Sequence, residues 1–86
     1  MSYKIKATPE FEKALKDLTK KNSELALRIA KAIKKLSENP NAGKPLSYEY
    51  SGLRSLRIEK YRVIYRIVEE KKEIHLIVLG HRKKVY

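Results

Sequence analysis

Apolar and polar positions along the chain follow two periods, and each change of period marks an element. Tyr3, Ile5 and Ala7 alternate with Lys4 and Lys6, which predicts a half-buried strand. The period then lengthens. Phe11, Ala14, Leu15 and Leu18 form one helical stripe, with Thr8 at the N-cap and Pro9 at the first helical position, where its missing N–H costs nothing. This helix is expected to stop near residues 20–22. A second begins at Asn22 or Ser23, carries Leu25, Ile29, Ala32, Ile33 and Leu36 at helical spacing, and ends at Asn39–Pro40. So short a linker makes the two helices an antiparallel hairpin.

Residues 39–52, rich in Asn, Pro, Gly and Ser, read as a long loop. Leu46, Tyr48 and Tyr50 would tack it onto the body; the alternative for the two tyrosines is stacking on nucleic-acid bases. Period two returns over residues 53–65 as two strands joined by a tight turn at Glu59–Lys60. A turn centred there sets Ile58 opposite Tyr61, Arg57 opposite Arg62 and Leu56 opposite Val63. Partners share a face of the sheet. Leu56, Ile58, Tyr61, Val63 and Tyr65 therefore line one side, and Ser55, Arg57, Arg62, Ile64 and Arg66 the other. After a polar turn at residues 69–72, Ile74–Leu79 is apolar on both faces apart from His75, which predicts a central strand covered on both sides, broken at Gly80. The order is β-α-α-β-β-β. The expected fold class is α+β: one domain over residues 1–86, its N-terminal helical hairpin packed on one face of a small, mostly antiparallel sheet, with the opposite face open and basic.

Composition narrows the function. Cysteine is absent, and His75 and His81 lack metal-ligand spacing with other candidate ligands, so neither a metal nor another cofactor is expected. No apolar run is long enough for a signal peptide or a membrane span, and the expectation is a soluble, cytoplasmic protein without a membrane partner. The formal net charge is +11. Of the six arginines, only Arg28 precedes the central hairpin; Arg54, Arg57, Arg62, Arg66 and Arg82 follow the loop. Lysine suits a solvated helix face, whereas the guanidinium fork suits bidentate phosphate contact. The strands are thus the binding surface, and nucleic acid or an acidic protein is the expected partner.

Arg57 directly opposite Arg62 is unfavourable by roughly 0.2–1 kcal/mol when exposed. Either an anion sits between them or the two side chains splay into water. No Ser/His/Asp set, phosphate-cradling glycine loop or suitably placed carboxylate pair is present. RNA cleavage needs none of these, because the 2′-hydroxyl beside the scissile phosphate is a built-in nucleophile. Arg57, Arg62 and Arg82 with Tyr86 would supply orientation and charge neutralisation. Arginine is a poor base near neutrality. His81 is the conventional proton acceptor, against the alternative of a surface histidine in a basic tail. His75 reads as a satisfied structural residue. Arg66 extends the basic face, and Lys83 and Lys84 either solvate the terminus or contact RNA.

The stretch Gly52-Leu-Arg-Ser-Leu-Arg-Ile-Glu-Lys-Tyr-Arg-Val-Ile-Tyr65, with Gly80-His-Arg-Lys-Lys-Val-Tyr86, resembles the RelE-like toxins of the RelE/ParE toxin–antitoxin superfamily. The resemblance runs the length of the chain. Tyr-Arg-Val-Ile-Tyr is common across the superfamily, and the Gly-His-Arg…Tyr ending is more specific for the RNA-cleaving branch. The resemblance implies a ribosome-dependent mRNA endonuclease acting in the A site without metal, neutralised by a cognate RelB-like acidic antitoxin. It implies that Arg57 steadies the phosphate, Arg62 stabilises the transition state, Arg82 is the acid or a charge stabiliser, and Tyr86 orients or stacks on the substrate. Ser55 stands where some members carry a lysine, which leaves the base open between Arg54 and His81. The Arg82–Tyr86 spacing is also shorter than in some relatives. A ParE-like DNA gyrase inhibitor and a non-catalytic basic RNA-binding protein are the alternatives.

Overall fold

A computed structural model describes residues 2–46 and 52–81. In chain order the elements are β1 (Lys4–Ala7), α1 (Pro9–Thr19), α2 (Ser23–Glu38), a 3-10 turn at Pro40–Ala42, β2 (Lys44–Pro45), β3 (Arg54–Ile58), β4 (Tyr61–Val68), a second 3-10 turn at Glu69–Lys71, and β5 (Glu73–His81). The helices begin where their caps dictate. Thr8 Oγ1 accepts from the Phe11 N–H at 3.1 Å, and Asn22 Oδ1 accepts from the Leu25 N–H at 3.0 Å. Each satisfies one of the N–H groups that a first turn leaves without a helical partner.

The five strands form one sheet in the order β1-β5-β4-β3-β2. Only the β1–β5 pair is parallel, and it makes β1 an edge strand beside the last strand of the chain. The helices cover one face. Phe11, Leu25, Ile29 and Leu36 from that layer meet Ile58, Val63, Tyr65, Ile74, Leu76 and Leu79 from the sheet in one buried core. The hairpin register is Arg54–Tyr65, Ser55–Ile64, Leu56–Val63, Arg57–Arg62 and Ile58–Tyr61, the pairing expected from a turn at Glu59–Lys60. Glu59 occupies a left-handed backbone conformation (φ 56°), uncommon outside glycine, and its carboxylate reaches back to Arg28 of α2 at 2.7 Å. The hairpin tip is thereby tied to the helical layer.

Three expectations need correction. The apolar run in β5 is not a strict alternation, because the strand carries an extra residue. The register steps from Ile64–Val78 to Tyr65–Leu76, so Ile77 is the extra residue of a β-bulge. Strict alternation from His75 would have put Leu79 on the face away from the helices; the bulge reverses the parity and turns Leu79 into the core. The distortion is tied to the start of α1, because the Thr8 hydroxyl donates to the Ile77 carbonyl at 2.8 Å. Second, Gly80 does not break the strand: β5 continues through it to His81, and Gly80 pairs with Arg62. Third, the segment after α2 is not only loop. Lys44–Pro45 pairs antiparallel with β3 and forms the other edge of the sheet.

Candidate functional site on the sheet face away from the helices

By the register, the face away from the helices carries Lys4 and Lys6 of β1, Lys44 of β2, Ser55 and Arg57 of β3, and Arg62 and Arg66 of β4. Glu73 and His75 of β5 lie on the same face. Glu73 is 9% exposed, accepting from Lys6 at 3.2 Å and lying 2.9 Å from His75 Nε2. These contacts, the one to His75 foremost, hold the Glu73 carboxyl below the usual carboxylate range. His75 is thus a satisfied structural residue, as its place in the strand suggested. The carboxylate is matched locally by Lys6 and His75.

A groove of about 470 Å³ is lined by Ser55, Leu56, Arg57 and Arg62 of the hairpin and by a wall made of Ala42, Lys44, Pro45 and Leu46. Arg57 is exposed, and its Nε donates to the Glu59 carbonyl at 3.2 Å. Ser55, also on the lining, is buried and small. Gly80, the β5 partner of Arg62, has no side chain to crowd it. Two guanidiniums set opposite each other on one concave surface are an arrangement that can accept an anion. It suits a phosphodiester, which accepts on two non-bridging oxygens in the plane the guanidinium fork presents.

The wall is held by two residues of the adjacent strands. Tyr65 is fully buried, and its hydroxyl donates to the Pro40 carbonyl at 2.6 Å while accepting from the Gly43 N–H at 2.9 Å. Arg54, its cross-strand partner, donates from Nε (3.1 Å) and from a terminal nitrogen (2.8 Å) to the Gly43 carbonyl, and more weakly to the Asn41 carbonyl at 3.3 Å. Residue 43 has to be glycine: a Cβ there would lie 2.6 Å from the Tyr65 hydroxyl and 2.8 Å from the Ser55 carbonyl.

The expected site residues are therefore distributed unevenly. Arg57, Arg62 and Ser55 come together in the groove. Arg66 lies farther along β4 on the same face and is exposed. Arg54 is not on that face; it is spent on loop carbonyls. His81 is not there either. It pairs with Tyr61 on the helix-side face, with the two rings edge to face and their centroids 6.2 Å apart. The bulge at Ile77 is the cause, since it shifts every later β5 residue to the other side. Arg82, Lys83, Lys84 and Tyr86, like Tyr48 and Tyr50, lie outside the described residues. Lys44 was missed by the sequence reading. It stood in a stretch read as loop, and a two-residue strand has no periodicity to reveal it. Among the described residues, no group of three or more His, Cys, Asp or Glu side chains is placed to hold a metal ion, and no helix is long and apolar enough to cross a membrane.

Comparison with known proteins places this geometry. The family described as the ParE toxin of the type II toxin–antitoxin system parDE matches residues 5–86. The toxin–antitoxin complex RelBE2 of Mycobacterium tuberculosis contains a chain 27% identical to this one, with a TM-score of 0.82, covering 95% of this chain and 93% of its own. The archaeal RelE–RelB complex of Pyrococcus horikoshii gives 25% identity and a TM-score of 0.77 over 99% of this chain and 100% of the other. A YoeB/ParE toxin from Agrobacterium tumefaciens shares the fold at 20% identity, with a TM-score of 0.81 over 92% and 98% of the two chains.

Proposed function

The chain belongs to the ParE toxin family of type II toxin–antitoxin systems, within the RelE/ParE superfamily, and from that premise we propose that it is a ribosome-dependent mRNA endonuclease. The observation that carries the reading is the pair Arg57–Arg62, opposed across β3–β4 on the face away from the helices and lining one groove. Two like charges in that position are favourable when an anion lies between them. In the ribosomal A site that anion is the scissile phosphodiester of mRNA. The 2′-oxygen attacks phosphorus, the bond to the 5′-oxygen breaks, and the products are a 2′,3′-cyclic phosphate and a 5′-hydroxyl. Arg57 steadies the phosphate in the ground state. Arg62 neutralises the charge that builds on the non-bridging oxygens in the transition state. Arg82 and Tyr86 complete the set as acid or charge stabiliser and as a platform that orients the substrate. Arg54 and His81, the candidate proton acceptors, lie off the groove. In this reading the proton of the 2′-hydroxyl passes to a group of the ribosome, in keeping with dependence on the ribosome.

The cognate partner in this reading is a RelB-like acidic antitoxin that covers the basic face, as the RelB chains named with the Mycobacterium and Pyrococcus relatives suggest. Primer extension on mRNA bound to programmed ribosomes tests the proposal. Wild-type protein is expected to give discrete cuts within the reading frame, and Arg62→Ala to keep the fold and lose at least about a hundredfold in rate, as for removal of one transition-state donor. Full activity in Arg62→Ala would remove the assigned site. The family description favours one second reading, a ParE-like inhibitor of DNA gyrase that acts by binding. Inhibited supercoiling by purified gyrase, with intact mRNA on the ribosome, would select it.

A further inference from the structure

Lys44 adds something that the paired arginines do not. It is the β2 partner of Ser55, so the two side chains share the face away from the helices, and it lines the same groove as Arg57 and Arg62. Arg57 lies two residues along β3 from Ser55 and is therefore the diagonal neighbour of Lys44, at the roughly 7–8 Å separation that long side chains bridge. The small Ser55 stands between them. Lys44 is exposed and makes no ion pair among the described residues. Lys6, Arg28 and Lys72, by contrast, each have a carboxylate.

Its backbone is also constrained. The preceding residue is gripped at both its polar groups, the Gly43 N–H by the Tyr65 hydroxyl and the Gly43 carbonyl by Arg54. Immobilising this short edge strand gives the ammonium a fixed origin beside the groove, so less ordering is needed when an anion arrives.

We propose that Lys44 forms a second phosphate subsite, contacting the phosphodiester next to the one held by Arg57 and Arg62, so that the groove recognises two consecutive phosphates of a single strand of RNA. The inference rests on the RNA reading of the groove and adds a polarity to it: the strand crosses from the β3–β4 arginines towards β2. Arg54 and Tyr65 act through Lys44 and are positioning residues.

The test uses the full chain and two uncleavable 2′-deoxy ligands, a dinucleoside monophosphate with one phosphodiester and a trinucleoside diphosphate with two, titrated by NMR. Wild-type protein is expected to bind the longer ligand roughly three- to tenfold more tightly, the gain for one partly solvated charge-assisted contact. Lys44→Ala is expected to abolish that gain while leaving affinity for the shorter ligand unchanged, and to flatten the salt dependence for the longer one by about 0.7 in the log–log slope. Lys44→Arg should retain both. Lys16→Ala, on the outer side of α1, serves as the control for net charge. A chain-length gain that survives in Lys44→Ala overturns the subsite and leaves the arginine site standing. Equal weakening of both ligands by Lys44→Ala also overturns it, because Lys44 would then act on the first phosphate. Failure of wild-type protein to bind either ligand overturns the groove as an RNA site altogether. The ribosome assay decides the nuclease reading separately.

Discussion

Replacing Tyr65 by phenylalanine isolates the hydroxyl that joins the sheet to the wall of the groove. The ring is fully buried, and phenylalanine fills the same space, so the apolar contribution is unchanged. What is lost is polar: the Gly43 N–H loses its acceptor and the Pro40 carbonyl loses its donor, both in buried surroundings. A buried group left unpaired costs about 1–3 kcal/mol. Allowing for relaxation of an edge segment, the pair should cost roughly 2–4 kcal/mol. For a domain of this size, that lowers the melting temperature by roughly 10–25 °C. Urea unfolding should show a lower midpoint at unchanged slope. The second readout is local. Amide exchange at Leu46, whose N–H donates to the Leu53 carbonyl at 3.0 Å, should accelerate as the β2 edge loosens. Tyr61→Phe, at a half-buried tyrosine with no hydroxyl hydrogen bond among the described residues, should change stability by less than about 0.5 kcal/mol. A Tyr65→Phe variant as stable as wild type, with exchange at Leu46 unchanged, would refute the claim that this hydroxyl holds the wall.

Other perturbations follow from the same contacts. Gly43→Ala forces a Cβ to within 2.6–2.8 Å of the Tyr65 hydroxyl and the Ser55 carbonyl, and should cost at least about 2 kcal/mol by chemical denaturation. Thr8→Ala removes both the α1 cap and the donor to the bulged Ile77 carbonyl, a loss of about 1–3 kcal/mol, whereas Thr8→Ser should recover most of it. Because the Glu73 carboxyl is held below its ordinary value, its contribution to stability is complete above the unfolded carboxylate pKa near 4.3 and disappears as pH falls through the folded value. Glu73→Gln should therefore lower stability at pH 7 and flatten the stability–pH curve on its acid limb, a comparison made by thermal melts between pH 3 and 7.

The sequence by itself determined the features that depend on near neighbours. The caps Thr8 and Asn22, the helical stripes and the Glu59–Lys60 turn are local, and the turn alone sets the β3–β4 register. Arg57 and Arg62 could therefore be placed opposite each other before any tertiary contact was known. Tertiary structure decided whatever depended on pairing between distant segments. The parallel docking of β1 on β5 brings Thr8 to Ile77, and the bulge there changes the parity of β5, carrying Leu79 into the core and His81 away from the arginines. The pinning of residues 40–43 by Tyr65 and Arg54 turns a stretch that reads as loop into a wall, and gives Arg54 a structural use that no periodicity could reveal. A one-residue slip reverses every later side chain of a strand, and such slips are set by partners far away in the chain.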